Sequence, residues 1–434
     1  MFQLPDDSVL RHDNYRRFWI ARQLISGARQ MVTVTIAWQI YDLARQDPSA
    51  GGLGWSEPRA AFLIGLIGLA QFFPILILSL FGGQAADRLD RRKILVICQS
   101  IRMAVILALV LTVLMPRDGV LFTLFGAAIT FGMVNAFVPA AANALYPTLV
   151  PRKLLPKAVV WNSIGSQLAT ILGPAVAGFL LVSGESYVYS ISLLMSAVAT
   201  FFIWRIEAPA PEPRIHPSPF KMVREGLGYI LHNKVVLGAI TLDFMVVFFA
   251  GSIALLPVFA RDILHVGEEG FGFLRAAPAV GAAAIAIMMS IRPIERRIGL
   301  WMFGSVFIFG VSVLVFGLSR SFWLSMGALV VYGAVDMISM YIRQSLVQLS
   351  TPDELKGRVS SVSFIFVSGS NELGEFESGV AAGLLGPVGA VLFGGGVAVA
   401  ASGIWAWRFP SLARADRFEA IEEQRLPEAS GQAP

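Results

Sequence analysis

Apolar runs of about twenty residues follow one another along almost the whole chain, with short polar stretches between them. A helix needs about 20 mainly apolar residues to cross the hydrocarbon core of a bilayer, so each run predicts one membrane-spanning helix. Twelve are predicted, at 18–43, 60–83, 94–115, 120–144, 158–182, 187–204, 235–260, 271–291, 299–318, 322–346, 360–383 and 387–407. The pattern therefore predicts an all-α membrane protein.

The lysines and arginines between these runs are concentrated in alternate polar stretches, beginning with the N-terminus. Of the 34 lysines and arginines, the other stretches hold only Arg45, Arg59, Arg117, Arg261 and Arg320. Basic residues accumulate on the cytoplasmic side of membrane proteins, so both termini are predicted to be cytoplasmic.

A proline-rich stretch at 206–219 separates two sets of six helices and is predicted to be a linker, because closely spaced prolines exclude a helix. An amphipathic segment at 220–232 is predicted to lie along the membrane surface. The predicted parts are an N-terminal six-helix bundle, a cytoplasmic linker with the amphipathic segment, a C-terminal six-helix bundle and a polar, solvated cytoplasmic tail, at 1–205, 206–233, 234–408 and 409–434.

The two sets of helices share a sequence pattern about 200 residues apart, as an internal repeat would. The corresponding positions are Pro151 and Pro352, Leu154 and Leu355, Gly173 and Gly374, and Gly178 and Gly379. A duplicated six-helix unit predicts a substrate cavity on the pseudo-twofold axis between its halves.

Composition agrees with this interpretation, since 56% of the 434 residues are hydrophobic and 15% are charged, against about 25% charged in a soluble domain. The net charge of +5 lies in short clusters, with no continuous basic face, so no nucleic-acid partner is expected. One cysteine and four scattered histidines predict no metal site, and no cofactor is expected. The chain has no G-x-x-x-x-G-K-[ST] sequence, which argues against an ATP-driven pump.

Ionisable side chains inside the predicted helices are the candidate functional residues, because an Asp costs roughly 2.5–3.5 kcal/mol at the centre of a membrane helix. The acids are Asp243, Asp336, Glu372, Glu375 and Glu377, and the arginines are Arg22, Arg29, Arg102, Arg275 and Arg343. Arg29 is the best candidate for binding an anionic group or a carboxylate of the cluster on helix eleven. Asp243, Asp336 and Arg343 are candidates for proton coupling or substrate binding.

Helix eleven presents a polar cluster, because Asn371, Glu372 and Glu375 are spaced to share one face. Neighbouring carboxylates in a medium of low dielectric constant favour retention of a proton, as a proton carrier requires. The alternative is that these charges form structural ion pairs that hold the helices together.

The loop after helix two has the sequence of a known signature. It reads Gly83-Gln84-Ala85-Ala86-Asp87-Arg88-Leu89-Asp90-Arg91-Arg92-Lys93. This resembles the motif G-x-x-x-D-R-x-G-R-R of major facilitator transporters, with Asp90 in place of a glycine. Gly83 would permit close helix contact, and Asp87 would cap a neighbouring helix. The resemblance implies a latch that closes the cytoplasmic side, formed by Gly83, Asp87, Arg88, Asp90, Arg91 and Arg92; the alternative is that the basic residues only set the topology.

Helix five carries small residues at a spacing of four, which lets another helix approach closely, and a proline that bends it. The main positions are Gly165, Gly173, Pro174 and Gly178. The pattern resembles G-x-x-x-G-P-x-x-G-G, which is associated with exporters of the same superfamily.

The stretches at 15–26, 38–43 and 371–376 resemble the bacterial major facilitator subfamily that includes the enterobactin exporter and macrolide efflux proteins. The resemblance covers nearly the whole chain and implies twelve helices in two pseudo-symmetric bundles, in the bacterial inner membrane. It implies proton-coupled export of a siderophore, drug or other small amphipathic metabolite by alternating access. The expected partners are the lipid bilayer, the small-molecule substrate and protons, and a monomer is expected.

Two other functions stay open at this point. A lysophospholipid or lipid flippase of the same fold is one, because the subfamily has such relatives. A membrane-embedded enzyme using Asp243, Asp336 or Glu375 is the other, although no catalytic motif supports it. Helix four, at 121–145, lacks the arginine that related drug:proton antiporters use, so coupling would need other positions.

Overall fold

The structure is a computed structural model that describes residues 9–50, 52–207, 219–292, 294–352 and 355–416. Helices make up most of this part of the chain, and it contains no β-strand. The main helices are α1 (Asp13–Arg45), α2 (Glu57–Arg88), α3 (Arg91–Val110), α4 (Arg117–Leu145), α5 (Leu155–Leu181), α6 (Glu185–Trp204), α7 (Pro219–His232), α8 (Lys234–Phe249), α9 (Gly267–Ile291), α10 (Ile298–Leu318), α11 (Phe322–Ser350) and α12 (Lys356–Arg408).

Ten stretches of the described chain are long and apolar enough to cross a membrane. Helix α1 is not among them, although its 33 residues would span a bilayer, because Gln23, Arg29, Gln30 and Gln39 make it more polar. Helix α12 counts once among the ten but has 53 residues, which give about 80 Å of helix in total at 1.5 Å per residue, divided by a break. The described helices are therefore consistent with twelve crossings of a hydrocarbon core about 30 Å thick.

Helix α12 contains both the eleventh and the twelfth predicted helices, joined at a break. Gly386 has φ 75° and ψ 161°, a backbone conformation that is almost confined to glycine, and Pro387 follows it. A Cβ atom at Gly386 would meet nothing within 4 Å, so the backbone angle alone requires glycine there. The chain thus changes direction without an intervening loop.

We expect Gly386→Ala to lower the thermal stability of the purified protein, because strain at such a backbone angle costs roughly 1–3 kcal/mol. Gly396→Ala is the matched control, since it lies in the same helix, also has nothing within 4 Å of a Cβ, and lacks a positive φ. Intrinsic tryptophan fluorescence during heating would measure both variants. Equal melting temperatures for the two variants would contradict a backbone requirement at Gly386.

The helices group into two compact units, each with its own packing. The first comprises Met1–Ser56, Leu66–His216 and His265–Ala276, and the second comprises Glu57–Gly65, Pro217–Leu264 and Ala277–Pro434. In the first, α1 packs against α5 and α6, and α3 packs against α4 and α6. In the second, α12 packs against α8 and α10, and α11 packs against the same two helices. Helices α2 and α9 each contribute residues to both units.

Each end of the predicted linker is attached to a unit. Asn14 donates a hydrogen bond from Nδ2 to the carbonyl of Glu207 (3.0 Å), and its Oδ1 accepts one from the Glu207 backbone (3.2 Å), within the first unit. The amphipathic helix α7 packs against α12 in the second unit, where Glu225 pairs with Arg358 at 2.6 Å. Tyr229 donates a hydrogen bond to the carbonyl of Ser350 at the end of α11.

The beginning of the predicted tail differs from the expectation of a solvated segment. Asp416 accepts a hydrogen bond on Oδ1 from the backbone N–H of Arg297 (3.1 Å), which precedes α10 with φ 57°. The N–H of Gly299 donates to the carbonyl of Ala415 (2.9 Å). The tail up to Asp416 therefore caps α10, because the first N–H groups of a helix lack partners in the helix itself. The rest of the tail, 417–434, lies outside the described residues.

Candidate functional site

Two of the predicted charged residues form a buried ion pair in the second unit. Arg343 of α11 and Asp243 of α8 approach with Nε and Oδ1 3.0 Å apart, and their side chains are 6% and 7% exposed. An unpaired charge at this position would cost free energy, and each of the two side chains compensates the charge of the other inside the bundle. The pairing links two helices that the sequence separates by about a hundred residues.

Asp336 lies two turns before Arg343 on α11 and is partly buried. Its charge acts on both Asp243 and Arg343. In the described part of the chain, Asp336 forms neither a hydrogen bond nor an ion pair. Two carboxylates thus share one guanidinium in a medium that disfavours net charge, and this arrangement is suited to binding one proton.

The polar cluster predicted on helix eleven lies on α12. Asn371 is exposed and donates from Nδ2 to the carbonyl of Val367 in its own helix (2.8 Å). Glu372 and Glu375 are partly buried. A Cβ on Gly374 would lie 2.7 Å from the carbonyl oxygen of Val247, so α8 and α12 pack closely here. Gly374, within the stretch that carries the cluster, is therefore a point of close helix contact.

Arg29 is exposed on α1, and its charge acts on Arg102 of α3, in the first unit. The sequence identified Arg102 as one of the candidate charges inside the predicted helices but did not assign it a specific role. Its position in the middle of helix three could have indicated a role, because an isolated charge in the middle of a membrane helix costs free energy.

The loop between α2 and α3 is organised by Asp90. Its carboxylate accepts hydrogen bonds from the backbone N–H groups of Arg92 (2.9 Å) and Lys93 (3.4 Å), which makes it the N-cap of α3. Its φ of −59° is accessible to any residue, so the family glycine is not needed. The side chain of Asp87, for which the sequence predicted a capping role, lies outside the described residues.

We expect Asp90→Ala to destabilise the protein by about 0.5–2 kcal/mol, the usual cost of losing an N-cap side chain. Asp90→Asn keeps an oxygen acceptor in the same place and serves as the control. Thermal unfolding in detergent would compare the three proteins. If alanine and asparagine behaved alike, the cap would not contribute to stability.

The arginines after Asp90 bind the ends of neighbouring helices. Arg91 donates from Nε to the carbonyl of Ala86 and from Nη1 to that of Ala144, both at 3.1 Å. Arg92 donates from Nη1 to the carbonyl of Ile206 at 2.8 Å. The carbonyl groups at the C-terminal ends of α2 and α4, and just beyond α6, thus accept hydrogen bonds from positively charged side chains. Such side chains stabilise the C-terminal ends of helices. Arg88 is exposed.

The close contact predicted at Gly83 occurs one residue earlier. A Cβ on Gly83 would meet nothing within 4 Å, whereas one on Gly82 would collide with the carbonyl of Ala136 in α4. The prediction for Gly83 was wrong because a shift of one residue turns a helical position by about 100°, from the packed face to the open one.

The small residues of α5 lie at close helix contacts within the first unit. A Cβ on Gly165 would collide with the Gln23 side chain, and one on Gly173 would lie 2.7 Å from Cβ of Gln30, both in α1. Further along, a Cβ on Gly178 would lie 2.5 Å from Cα of Gly272 in α9. Pro174, inside α5, is buried. This geometry is what a small-residue pattern provides in membrane helices.

Comparisons with known proteins agree with this architecture. A family model described as "Transmembrane secretion effector" (MFS_3) matches residues 7–432. An enterobactin exporter of Shigella boydii serotype 18 is 24% identical over 384 residues, which cover 88% of this chain and 86% of the exporter.

Solved structures show the same fold at low sequence identity. A POT family transporter in complex with a thioalcohol-conjugated peptide has a TM-score of 0.68 at 13% identity, covering 91% of this chain and 96% of its own. A D-xylose–proton symporter has a TM-score of 0.67 at 14% identity, covering 91% and 97%. The predicted all-α membrane fold and the resemblance to the major facilitator superfamily are confirmed. The chain is a multi-pass membrane transporter, not an enzyme, and belongs to the transmembrane secretion effector family of that superfamily.

Proposed function

We propose that this chain is a secondary exporter that exchanges a small amphipathic molecule for protons by alternating access. It acts as a monomer in the bacterial inner membrane, with both termini in the cytoplasm and no cofactor. The family match and the enterobactin exporter among its relatives support export, and a siderophore, a drug or another metabolite is the proposed cargo. The latch proposed for the loop between α2 and α3 belongs to the same cycle.

The observation that carries the proposal is the group formed by Asp243, Asp336 and Arg343. When Asp243 is charged, Arg343 is paired with it. A proton on Asp243 weakens this pair and frees Arg343 to turn toward Asp336, which lies seven residues away on the same side of α11. Uptake of one proton would thereby loosen the connection between α8 and α11. Glu372 and Glu375, which are partly buried on α12, offer a second position for a proton.

The test measures cargo-dependent proton movement in proteoliposomes with an internal pH dye and a panel of siderophores, macrolides and lysophospholipids. We expect cargo-driven proton flux in the wild type and a loss of at least 10-fold in Asp243→Asn and Glu375→Gln, because an amide cannot carry a proton. Asp336→Asn should cause a similar loss, because Arg343 then has no second carboxylate to turn toward. Asp47→Asn is the control. Asp47 is exposed, and hydrogen bonds from the backbone N–H and hydroxyl of Ser49 lower its pKa, so it stays ionised at neutral pH.

The panel also separates the alternatives. Cargo movement without proton flux would contradict antiport and leave the buried acids as structural ion pairs. Movement of lysophospholipids, with no response to siderophores or macrolides, would favour the flippase over the exporter.

A further inference from the structure

Helix α7 covers the ends of three other helices in the second unit. Its Ile230, which is 2% exposed, belongs to a hydrophobic cluster at the start of α8, the end of α11 and the start of α12. The other buried members are Val236 and Ile240 of α8, Val347 of α11, and Val359 and Val362 of α12. Val223, Leu227 and Tyr229 of α7 pack against the same cluster. The apolar face of α7 is therefore packed against protein.

Tyr229 links α7 to two of these helices through hydrogen bonds. Its hydroxyl donates to the carbonyl of Ser350, the last residue of α11, and accepts from Nδ2 of Asn233 at 3.2 Å. Asn233 is the N-cap of α8, because its Oδ1 accepts from the backbone N–H groups of Val235 and Val236, both at 3.1 Å. The end of α11 and the start of α8 are thus connected through one tyrosine of α7.

Two further contacts fix α7 on α12. Glu225 pairs with Arg358 at 2.6 Å. A Cβ on Gly226 would lie 2.6 Å from the carbonyl oxygen of Arg358 and 3.0 Å from Cγ2 of Val362, whereas one on Gly228 would meet nothing within 4 Å among the described residues. The glycine at 226 therefore lets the two backbones approach closely, as small residues do where helices cross.

The hydrophobic cluster lies next to the ion pair of Asp243 and Arg343 on both helices that form the pair. Ile240 is three residues before Asp243 on α8, and Val347 is four residues after Arg343 on α11, so each shares a helix face with its neighbour in the pair. The ion pair and the cluster are thus successive contacts between α8 and α11. Separation of the two helices at the ion pair would expose the apolar side chains of the cluster unless α7 moves as well.

We propose that α7 is a strap that detaches from the ends of α8, α11 and α12 during transport, when Asp243 takes up a proton. The inference rests on the proposed function, in which that proton loosens the connection between α8 and α11. While the ion pair is intact, the pair and the strap hold α8 against α11 together. Once the pair is weakened, the strap holds them alone, and its anchor between Glu225 and Arg358 is one that water reaches. Detachment lets the ends of α8 and α11 separate, and α7 packs again when the pair forms again.

Maleimide labelling of Ile230→Cys in a Cys98→Ser background measures detachment, because this side chain is buried under the strap. Purified full-length protein in detergent is sufficient, since Asp243→Asn mimics the protonated acid without cargo or a proton gradient. We expect Asp243→Asn to raise the labelling rate by at least about 10-fold. Gly226→Val should raise the rate with the ion pair intact, whereas Gly228→Val, on the open side of α7, should not.

Leu412→Cys in the same background is the matched control for labelling. Leu412 is fully buried in the second unit, but it packs near Gly238 of α8 and lies outside the strap. Its labelling rate should be the same with and without Asp243→Asn. If both cysteines become reactive, Asp243→Asn unfolds the unit, and the crosslink in the otherwise unchanged protein decides the matter.

The crosslink tests whether transport requires detachment. Glu225→Cys/Arg358→Cys in the Cys98→Ser background is joined by a bis-methanethiosulfonate reagent with a short spacer, which keeps α7 on α12 until a reducing agent is added. We expect cargo-driven proton flux in proteoliposomes to fall by at least about 10-fold and to return on reduction. Arg297→Cys/Asp416→Cys, joined in the same way, is the control and should keep its flux, because it ties α10 to the chain after α12 and leaves α7 free.

The outcomes separate the strap from the proposed function. Normal flux in the protein crosslinked at 225 and 358 would leave the exporter standing and refute the strap. Unchanged labelling of Ile230→Cys in Asp243→Asn would also overturn it. A wild type without cargo-driven proton flux, in which Asp243→Asn still speeds labelling of Ile230→Cys alone, would refute antiport and leave the strap as an element controlled by the ion pair.

Discussion

Arg343→Met should destabilise the protein by about 3–5 kcal/mol, which is the usual cost of removing one partner of a buried ion pair. The side chains of Arg343 and Asp243 are only 6% and 7% exposed, so the remaining carboxylate would stay inside the bundle without its guanidinium. Unfolding in mixed detergent micelles, followed by tryptophan fluorescence, would measure the change in free energy. The double variant Asp243→Asn/Arg343→Met removes both charges and should recover most of the loss.

Arg358→Met provides the comparison, because Arg358 pairs with Glu225 in the same unit but at side-chain exposures of 31% and 30%. An ion pair that water reaches contributes about 1 kcal/mol or less. The buried pair would have no special role if Arg343→Met and Arg358→Met cost the same, or if the double variant were no better than the single one.

The second large effect is expected at Gly379, which touches Gly65 in the second unit. A Cβ on Gly379 would lie 2.6 Å from Cα of Gly65 and 3.2 Å from the carbonyl oxygen of Ala61. These neighbours are backbone atoms and cannot turn aside, so Gly379→Val should separate the first residues of α2 from α12, at a cost of about 1–3 kcal/mol or more. The variant can avoid this strain by populating a conformation in which the two helices no longer touch at Gly379.

A cysteine at Ala61 would report the separation, because Ala61 is fully buried. The experiment uses Ala61→Cys in a Cys98→Ser background, so that residue 61 carries the one thiol. Adding Gly379→Val should raise the maleimide labelling rate by at least about 10-fold, which corresponds to a loss of about 1.4 kcal/mol in the free energy of helix packing. Gly383→Val is the control one turn along, where a Cβ would lie 3.7 Å from Phe62 and 3.8 Å from Pro58. Slow labelling in Gly379→Val would mean that the contact adapts to a larger side chain.

Much of the fold could be predicted from the sequence because spanning a bilayer is a strong constraint. The predicted helix at 60–83 lies inside α2, Glu57–Arg88, and that at 299–318 is nearly the whole of α10, Ile298–Leu318. The break at Gly386 was also visible, as the gap between the runs at 360–383 and 387–407. Its backbone angle was not, because φ 75° is a property of the folded turn.

The candidate site was less predictable, because it depends on contacts between distant parts of the chain. Asp243 and Arg343 were each recognisable as a costly charge, but the sequence does not show which partner a buried charge meets. The close helix contact was predicted at Gly83 but occurs at Gly82 for a similar reason. A sequence motif gives a position along the chain, but it does not show which face of the helix packs against a neighbour. Asp416 was assigned to a free tail because a cap on a distant helix leaves no local pattern.

The anchoring of the chain at Glu207 and again along α7 has a practical consequence for dissection of the protein. Asn14 holds Glu207 to the first unit, while Glu225 and Tyr229 hold α7 to the second. None of these contacts depends on the peptide bonds between residues 208 and 218. A protease site placed in that interval would therefore divide the polypeptide into two fragments that each keep their own described anchor.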